Sequence, residues 1–421
     1  MANTLLTIDM ITREALRLAH EKATFIGTIN RQFDDSFGQE GAKIGDTLRI
    51  RLPSQYTRRT GSRVMDVQDS VQVSTALTVA TQDGVDLKFN SRERALDLDE
   101  YSELHLKPAM AMLISNIDAD VLAGCTRATY NWATNVYPLL SVSSAGFSVS
   151  TMGDISSLTA PGNARTRLNQ SLAPKGDRRI QVDSNTMARI VGGTAAYFNP
   201  SGAISEQYRE GLVARTAMAD YYENERIWSM PHVSSVLVSS WKLAGFITTL
   251  GVNSVAVSTT QQVREGMVFN LGGIYDCHPE TKTQYANLKQ FTVVSSVFAA
   301  TTTLAFSPPI YISGPRQNVV SIFTASSVEM SSRHISFAGT TTLAFPTGLM
   351  YHKDAFTFAT AELPLMAEAE RCVRKTFDGL SLRIWQGADI RNDEVLTRLD
   401  ILYGYAAIRP EWACRLIGNG S

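Results

Sequence analysis

The chain lacks any run of about eighteen apolar residues. Its opening stretch, MANTLLTIDMITREALRLAH, has no basic lead followed by an apolar core and a small-residue cleavage site. These absences argue against a membrane-spanning helix and a secretory signal, so a soluble protein made in a cytoplasm is expected. Charge of one sign is also lacking. The 39 Lys and Arg stand against 40 Asp and Glu, which leaves no net field to draw polyanions or anionic membrane. Cysteine is scarce: Cys125, Cys277, Cys372 and Cys414 lie far apart with no C-x-x-C. Neither a disulfide framework nor a thiolate metal site is indicated, and free thiols are expected. No internal repeat of about 20 to 50 residues and no low-complexity tail occurs.

Catalytic signatures are missing too. Asp118 and Asp120 stand two apart on a predicted helix, where side chains point in different directions and cannot share acid–base work. Cys277-His278, with His232 and His334, shows no zinc spacing and reads as loop residues. Gly339 to Gly348, GTTTLAFPTG, lacks the Lys-Ser/Thr that a phosphate-binding loop needs after its second glycine. No catalytic residue, cofactor site or metal site is therefore expected.

What is present is a long helical stretch set in β-rich sequence. Leu104 to Trp132, LHLKPAMAMLISNIDADVLAGCTRATYNW, places Met110, Leu113, Ile114, Ile117, Val121 and Leu122 at steps of three and four. Pro108 marks the start, since a first-turn proline gives up only an amide hydrogen that would be unpaired there. About 22 residues at ~1.5 Å rise make a rod of roughly 33 Å, suited to act as a spine under a sheet. Upstream, Ile8 to Thr24 sets Ile8, Ile11, Ala15, Leu18 and Ala19 on one face, an amphipathic helix that must cover something.

Leu48, Ile50 and Leu52 alternate with Arg49 and Arg51 in GAKIGDTLRIRLP, a half-buried strand closed by Pro53. Ser54 to Gln82 then reads as a long two-stranded hairpin. Its tip carries Arg58, Arg59 and Arg63 around Gly61-Ser62, and its return leg carries Val71, Val73, Leu77 and Val79. A lone hairpin buries too little to be stable in water, so it is expected to lie on another surface, such as a second subunit. Arg58, Arg59 and Arg63 are assigned to acidic groups of that neighbour rather than to nucleic acid.

After a Ser/Thr/Gly-rich passage from Ser141 to Asn163, Ala173 to Asp177 reads as a turn. Arg179 to Val182 reads as a short strand, and a helix begins near Ser184 or Asn185. From about Met230 the pattern changes to short runs rich in Val, Ser and Thr: SSVLVSS, NSVAVST, KQFTVVSSVF, TTTLAF and PPIYIS. They argue for a small β-barrel or sandwich inserted into the preceding domain, whose own mixed pattern resumes near Ile322. From Ser381 to Ile417 three strands close the chain, the first holding Leu382 and Ile384, the second Leu399, Ile401 and Tyr403, and the third spanning Trp412 to Ile417.

Taken in order, GDTLRIRLP at Gly45 to Pro53, LKPAMAMLISNIDADVLA at Leu106 to Ala123, LMYHKDAFTFA at Leu349 to Ala359 and the closing YAAIRPEWACRLI resemble the major capsid protein of tailed bacteriophages. That is the Hong Kong 97 phage capsid fold, an α+β fold. VREGMVFNLGG at Val263 to Gly273 resembles the start of the β-barrel inserted in the coat proteins of short-tailed Salmonella phages. The resemblance implies an N-terminal arm over 1–44 and a peripheral-domain strand with extended-loop hairpin over 45–98. It continues with a peripheral domain holding the spine helix over 99–150 and the first part of an axial domain over 151–229. An inserted β-barrel over 230–321 and the returning axial and peripheral strands over 322–421 complete the order.

The implied function is structural: copies assemble as hexamers and pentamers into an icosahedral shell, in the host bacterial cytoplasm, around double-stranded DNA held without sequence-specific binding. A separate scaffolding protein and a portal protein are implied partners, and no membrane is. The inter-subunit contact residues expected are Arg58, Arg59, Arg63, Val71, Val73, Leu77, Ile11 and Leu18. Two departures from the family matter. Ser54 to Gln82 contains no lysine, so the covalent crosslink that some members make through this loop is not expected. The arm helix begins within about the first ten residues, so a scaffold fused upstream is not expected either. The competing readings are a multi-domain carbohydrate-active enzyme with a β-type binding domain, which lacks an acid–base constellation, and a tail component, which leaves the spine helix and arm without a role.

Overall fold

The computed structural model describes residues 23–32, 47–62, 65, 67–90, 107–135, 155–194, 219–231, 250–257, 263–297, 303–321, 335–338, 344–366, 371–377, 380–389 and 394–418. The amphipathic stretch from Ile8 lies outside them except for its last two residues, and so do SSVLVSS, Arg63, His232 and His334. The fold is α+β. Along the chain, β1 (Thr47–Arg51), β2 (Ser74–Thr78) and β3 (Thr81–Asn90) lead to α1 (Lys107–Ala128) and β4 (Trp132–Ala133). Then come α2 (Thr159–Gln170), β5 (Arg178–Val182), α3 (Ser184–Thr194), β6 (Asp220–Glu223) and β7 (Ser229–Met230). The β-rich middle holds β8 (Val252–Ala256), β9 (Val268–Cys277), β10 (Gln284–Val293), β11 (Thr303–Ile310), β12 (Val319–Ser321) and β13 (Ile335–Phe337). The chain closes with β14 (Phe345–Pro346), β15 (Gly348–His352), β16 (Phe356–Ala361), β17 (Arg371–Phe377), β18 (Leu380–Asp389), β19 (Glu394–Ala407) and β20 (Ala413–Leu416).

The predicted spine helix, the strand before α3, the start of α3 and the three closing strands all form. Among the elements that the sequence pattern does not announce, such as β6 and β17, α2 is the helix. Its first turn holds Pro161 and Gly162 and its end merges into polar residues, so its apolar positions Ala160, Ala164 and Leu168 are small and sparse in the sequence although all three are fully buried. TTTLAF and PPIYIS, expected as two runs, meet in one continuous strand, β11. The two prolines fall where its pairing with β8 skips from Ala305 to Ile310, the irregularity at which a strand tolerates residues that cannot donate.

The chain divides into two compact units. The first comprises Met1–Arg51, Ser74–Leu122 and Phe356–Ile408. Its sheet runs β16-β19-β18-β17, with β3 also paired to β19. β1 and β2 form an antiparallel pair from Thr47↔Thr78 to Arg51↔Ser74. Leu77 and Val79 pack with Ala359, Ala361, Leu363, Leu402 and Ala406, and Leu48 and Ile50 lie against them. Gly404 is required here by close approach: a Cβ would sit 2.2 Å from the Thr78 carbonyl oxygen.

The second unit comprises Leu52–Val73, Ala123–Ala355 and Arg409–Ser421. One mixed sheet, β4-β20-β15-β5-β6, is covered by α2 and α3 through a core that includes Ala164, Leu168, Ile180, Ile190, Met350 and Leu416. A second sheet, β12-β9-β10-β11-β8 with β13 added to β9, closes on its own core. Phe269, Phe291, Phe306 and Phe337 meet there among Val255, Leu271, Leu304 and Ile335, with Phe269 and Phe291 stacked at 5.5 Å and Phe306 edge-on to both. Between the two sheets β7 and β14 pair, Met230 opposite Phe345, and Thr347 N–H donates to Trp228 O. The chain thus leaves and re-enters the main sheet through one clasped neck.

Candidate assembly surfaces

The hairpin is the first surface. β1 and β2 form its paired base, and beyond them Leu52 N–H donates to Val73 O. Farther out the legs are linked by side chains: Gln68 accepts from Thr57 N–H and donates to Thr57 O at 2.8 and 2.7 Å, so one amide replaces a backbone partner. Ser54 and Ser70 meet at 3.1 Å. Arg58 and Arg59 are exposed. Alternation sets large apolar groups outward as well: Val71 is 61% exposed, Val67 78% and Met65 80%, an uncommon density of open apolar surface for so narrow an element.

Of the predicted contact residues, Arg58, Arg59 and Val71 lie open on this hairpin and Val73 is half-buried. Leu77 is a correction. It is fully buried in the core of its own subunit, because the hairpin's base lies over β19 and the period of two turns Leu77 and Val79 inward there. Arg63, Ile11 and Leu18 lie outside the described residues. Tyr56, Met65 and Val67 are further exposed apolar side chains of this hairpin that the sequence pattern does not single out.

The second surface is the seat of residues 24–32 on the first unit. Asp118, on the apolar stripe of α1 between Ile114 and Val121, is fully buried. Its carboxylate accepts from Phe25 N–H, Ile26 N–H and Thr24 Oγ1, each at 3.0 Å. These are the orphan donors at the head of the 3-10 turn Ile26–Thr28, whose own N-cap, Phe25, makes no side-chain cap. A carboxylate borrowed from α1 performs that cap instead. Asn30 continues the attachment, its N–H donating to Phe356 O and its carbonyl accepting from Phe358 N–H and Thr357 Oγ1. Asp120 faces elsewhere, as its spacing from Asp118 requires. It accepts from Tyr403 Oη at 3.0 Å, with Asp83 3.1 Å from the same hydroxyl. Burial and the two neighbouring carboxylates push the Tyr403 phenol far above its usual range. An acidic residue inside an apolar stripe was the readable sign of Asp118, but its partner, some ninety residues upstream, was not.

Beside them, in the first unit's sheet, Arg383 donates to Asp400 at 2.6 Å with both side chains buried, and Arg398 reaches the other carboxylate oxygen at 2.8 Å. Gly84 stands opposite Asp400 in the register, where a Cβ would lie 2.6 Å from the carboxylate oxygen. Cys277, expected in a loop, is the last residue of β9, paired with Gln284, and His278 opens the turn to β10; His278 Nδ1 accepts from Glu280 N–H and Thr281 N–H at 3.1 Å, a turn-stabilising role. Among the described residues no group of three or more His, Cys, Asp and Glu is placed to hold a metal ion.

Part of the chain matches a known family. The family model of the P22 coat protein, gene protein 5, matches residues 249–418, somewhat under half of the chain. Solved structures that resemble the chain include one from Mycobacterium phage Che8, 8% identical over 95% of this chain and 92% of that one, TM-score 0.48. The capsid of cyanophage P-SCSP1u is 12% identical over 90% and 84%, TM-score 0.43. A virus-like particle from Pyrococcus furiosus is 7% identical over 97% and 98%, TM-score 0.36. No curated protein sequence matches.

Proposed function

We propose that this chain is the major capsid protein of a tailed bacteriophage, of the Hong Kong 97 type with an inserted β-domain, and that many copies close an icosahedral shell around packaged double-stranded DNA. The observation that carries the reading is the coat-protein family match over residues 249–418. It spans β8 to β13 of the β-domain, the β14 side of the neck and the strands that return to both sheets, and the elements ahead of it, hairpin and spine helix, stand in the order the resemblance implies. The inserted-domain coat proteins of short-tailed Salmonella phages are the proposed architectural relatives. On this reading the inserted domain is best bounded by its neck, so that it runs from 231 to 344 rather than 230 to 321. β13 completes the inserted sheet and core beyond residue 321.

In such a shell the work is done by burial. Open apolar positions at Tyr56, Met65, Val67 and Val71 lie on a neighbouring copy, with Arg58 and Arg59 against its acidic groups. Each contact is weak and geometrically specified, so misplaced subunits can leave. A separate scaffolding protein and a portal protein are the proposed further partners, the virion capsid the proposed location, and the host cytoplasm the site of assembly. The test is sedimentation and negative-stain microscopy of the full chain, expressed with and without the other phage structural proteins. Closed shells of megadalton mass, dissolving in hot denaturant to one monomer band, are expected. A stable discrete monomer under every condition would refute the reading, and covalent ladders would refute the non-covalent hairpin contact.

A further inference from the structure

The seat of the β-domain on the main sheet of the second unit is made largely of buried polar groups, and two of them are unusual. β4 is an edge strand, paired among the described residues with β20 alone. On that side Asn131 O and Ala133 O accept from Arg415 N–H and Ile417 N–H, which leaves Trp132 N–H and C=O facing the other way. There the side-chain amide of Gln290, on β10, accepts from Trp132 N–H at 2.9 Å and donates to Trp132 O at 3.0 Å. One glutamine closes the sheet edge as a neighbouring strand would. Both residues are almost fully buried.

Arg415, on β20, points the opposite way, from the main sheet into the domain. It is fully buried, and its acceptors are Gly266 O, Thr292 Oγ1 and Arg127 O at the last turn of α1. Thr292 in turn donates to Arg127 O at 3.1 Å. Among the described residues no carboxylate pairs with this guanidinium; the partial negative charge at the helix C-terminus and the two other acceptors stand in for one. The indole of Trp228, on the neck, lies 5.8 Å from the guanidinium carbon. The apolar part of the seat is small, namely Trp132, Met230, Val268, Ala338 and Ile417 with Trp228 beside them.

We infer that Gln290 and Arg415 form an orientation lock, positioning residues that hold the β-domain in a single pose on the main sheet so that its outer surface is presented identically by every copy in a shell. The physical reason is the asymmetry of hydrogen bonding. Apolar contact is non-directional and tolerates a small rotation or slide. A displaced dock would leave the Trp132 backbone pair and a buried cation without partners, which costs far more than those bonds contribute when made. The lock rests on the reading of residues 231–344 as an inserted domain with its own core and a clasped neck.

The test uses the full-length chain as a soluble subunit, with Cys372→Ser, Leu172→Cys and Leu250→Cys, because positions 172 and 250 are exposed and the other thiols are buried. Spin labels there give a distance distribution between main sheet and β-domain, and residue-resolved amide exchange is read in parallel. With the lock intact, one narrow distance and a protected Trp132 amide are expected. In Gln290→Leu, and more so with Arg415→Met added, the distribution broadens, Trp132 exchanges about a hundredfold faster or more, and the Phe269 and Phe291 amides stay protected. If Arg415→Met fails to fold, Gln290→Leu alone carries the test. Unchanged distance width and Trp132 protection would overturn the lock and leave the domain reading standing. If β9–β10 and β15–β20 instead lose protection together, the β-segment is no separate body, and the domain reading falls with the lock.

Discussion

The phenylalanine core of the β-domain and the interior of the first unit solve the same problem with different chemistry. The core of the β-domain in the second unit is apolar throughout, four phenylalanines among aliphatic side chains. The interior of the first unit is laced with charge: Asp118 under residues 24–26, Arg383 on Asp400, Tyr403 between Asp83 and Asp120. Apolar burial stabilises without direction and tolerates compensating change. Buried charge contributes little net stability but penalises every arrangement that leaves it unpaired. The β-domain core therefore tolerates compensating change, whereas in the first unit the helix, residues 24–32 and the sheet meet in only one way.

The largest expected effect strikes the apolar side. Phe269→Ala removes the ring that touches Phe291, Phe306 and Phe337, and should cost about 4 kcal/mol, read as a lower urea midpoint for the β-domain transition. A loss under about 1 kcal/mol would mean that this core collapses to fill the gap. Next, Arg383→Met leaves the half-exposed Arg398 as the remaining described cation on buried Asp400 and should cost about 3 kcal/mol. The double change Arg383→Met with Asp400→Leu should restore much of that loss. Failure of the double change to recover stability would place the role of the pair in net attraction rather than in specificity.

Asp118→Ala removes the carboxylate that caps Ile26–Thr28 through Phe25 N–H and Ile26 N–H, for a loss of about 2 kcal/mol. Amide exchange should speed up at Phe25 and Ile26 while the β18–β19 ladder stays protected, and deprotection of that ladder would contradict a local role. The smallest effect is a pH dependence in the second unit. His352 lies largely buried against Trp412. Burial first, with Arg178 and Arg179 adding to it, holds its imidazole below the ordinary range against the opposing pull of Asp354 and Asp177. The folded state therefore favours neutral histidine. There is no penalty well above pH ~6.5, and stability declines as pH falls through that value, because the unfolded chain takes the proton first. Replacing His352 by Gln should flatten the slope of stability between about pH 7 and 5, and an unchanged slope would assign it to other groups.

The surface residues divide along the same line. Arg58, Arg59 and Val71 were legible on the hairpin because alternation and charge are local properties. Leu77 obeys the same alternation, yet it is buried at the base, because which part of a hairpin lies on its own sheet is settled by β19, more than three hundred residues away. α2 escaped notice since small buried residues carry little periodic signal. The Gln290–Trp132 and Arg415–Arg127 contacts join positions that nothing in the sequence links.

By itself the sequence determined the long helix, the strand order near the end of the chain and the β-rich character of its middle. Each of these follows from short-range periodicity or composition, which the chain carries whatever its neighbours do. The tertiary structure decided what lies opposite what: Asp118 under residues 24–26, Gly84 making room for Asp400, one glutamine completing a sheet edge. Those pairings depend on hydrogen-bond geometry between residues distant in sequence, and burial strengthens them by making any unpaired alternative costly.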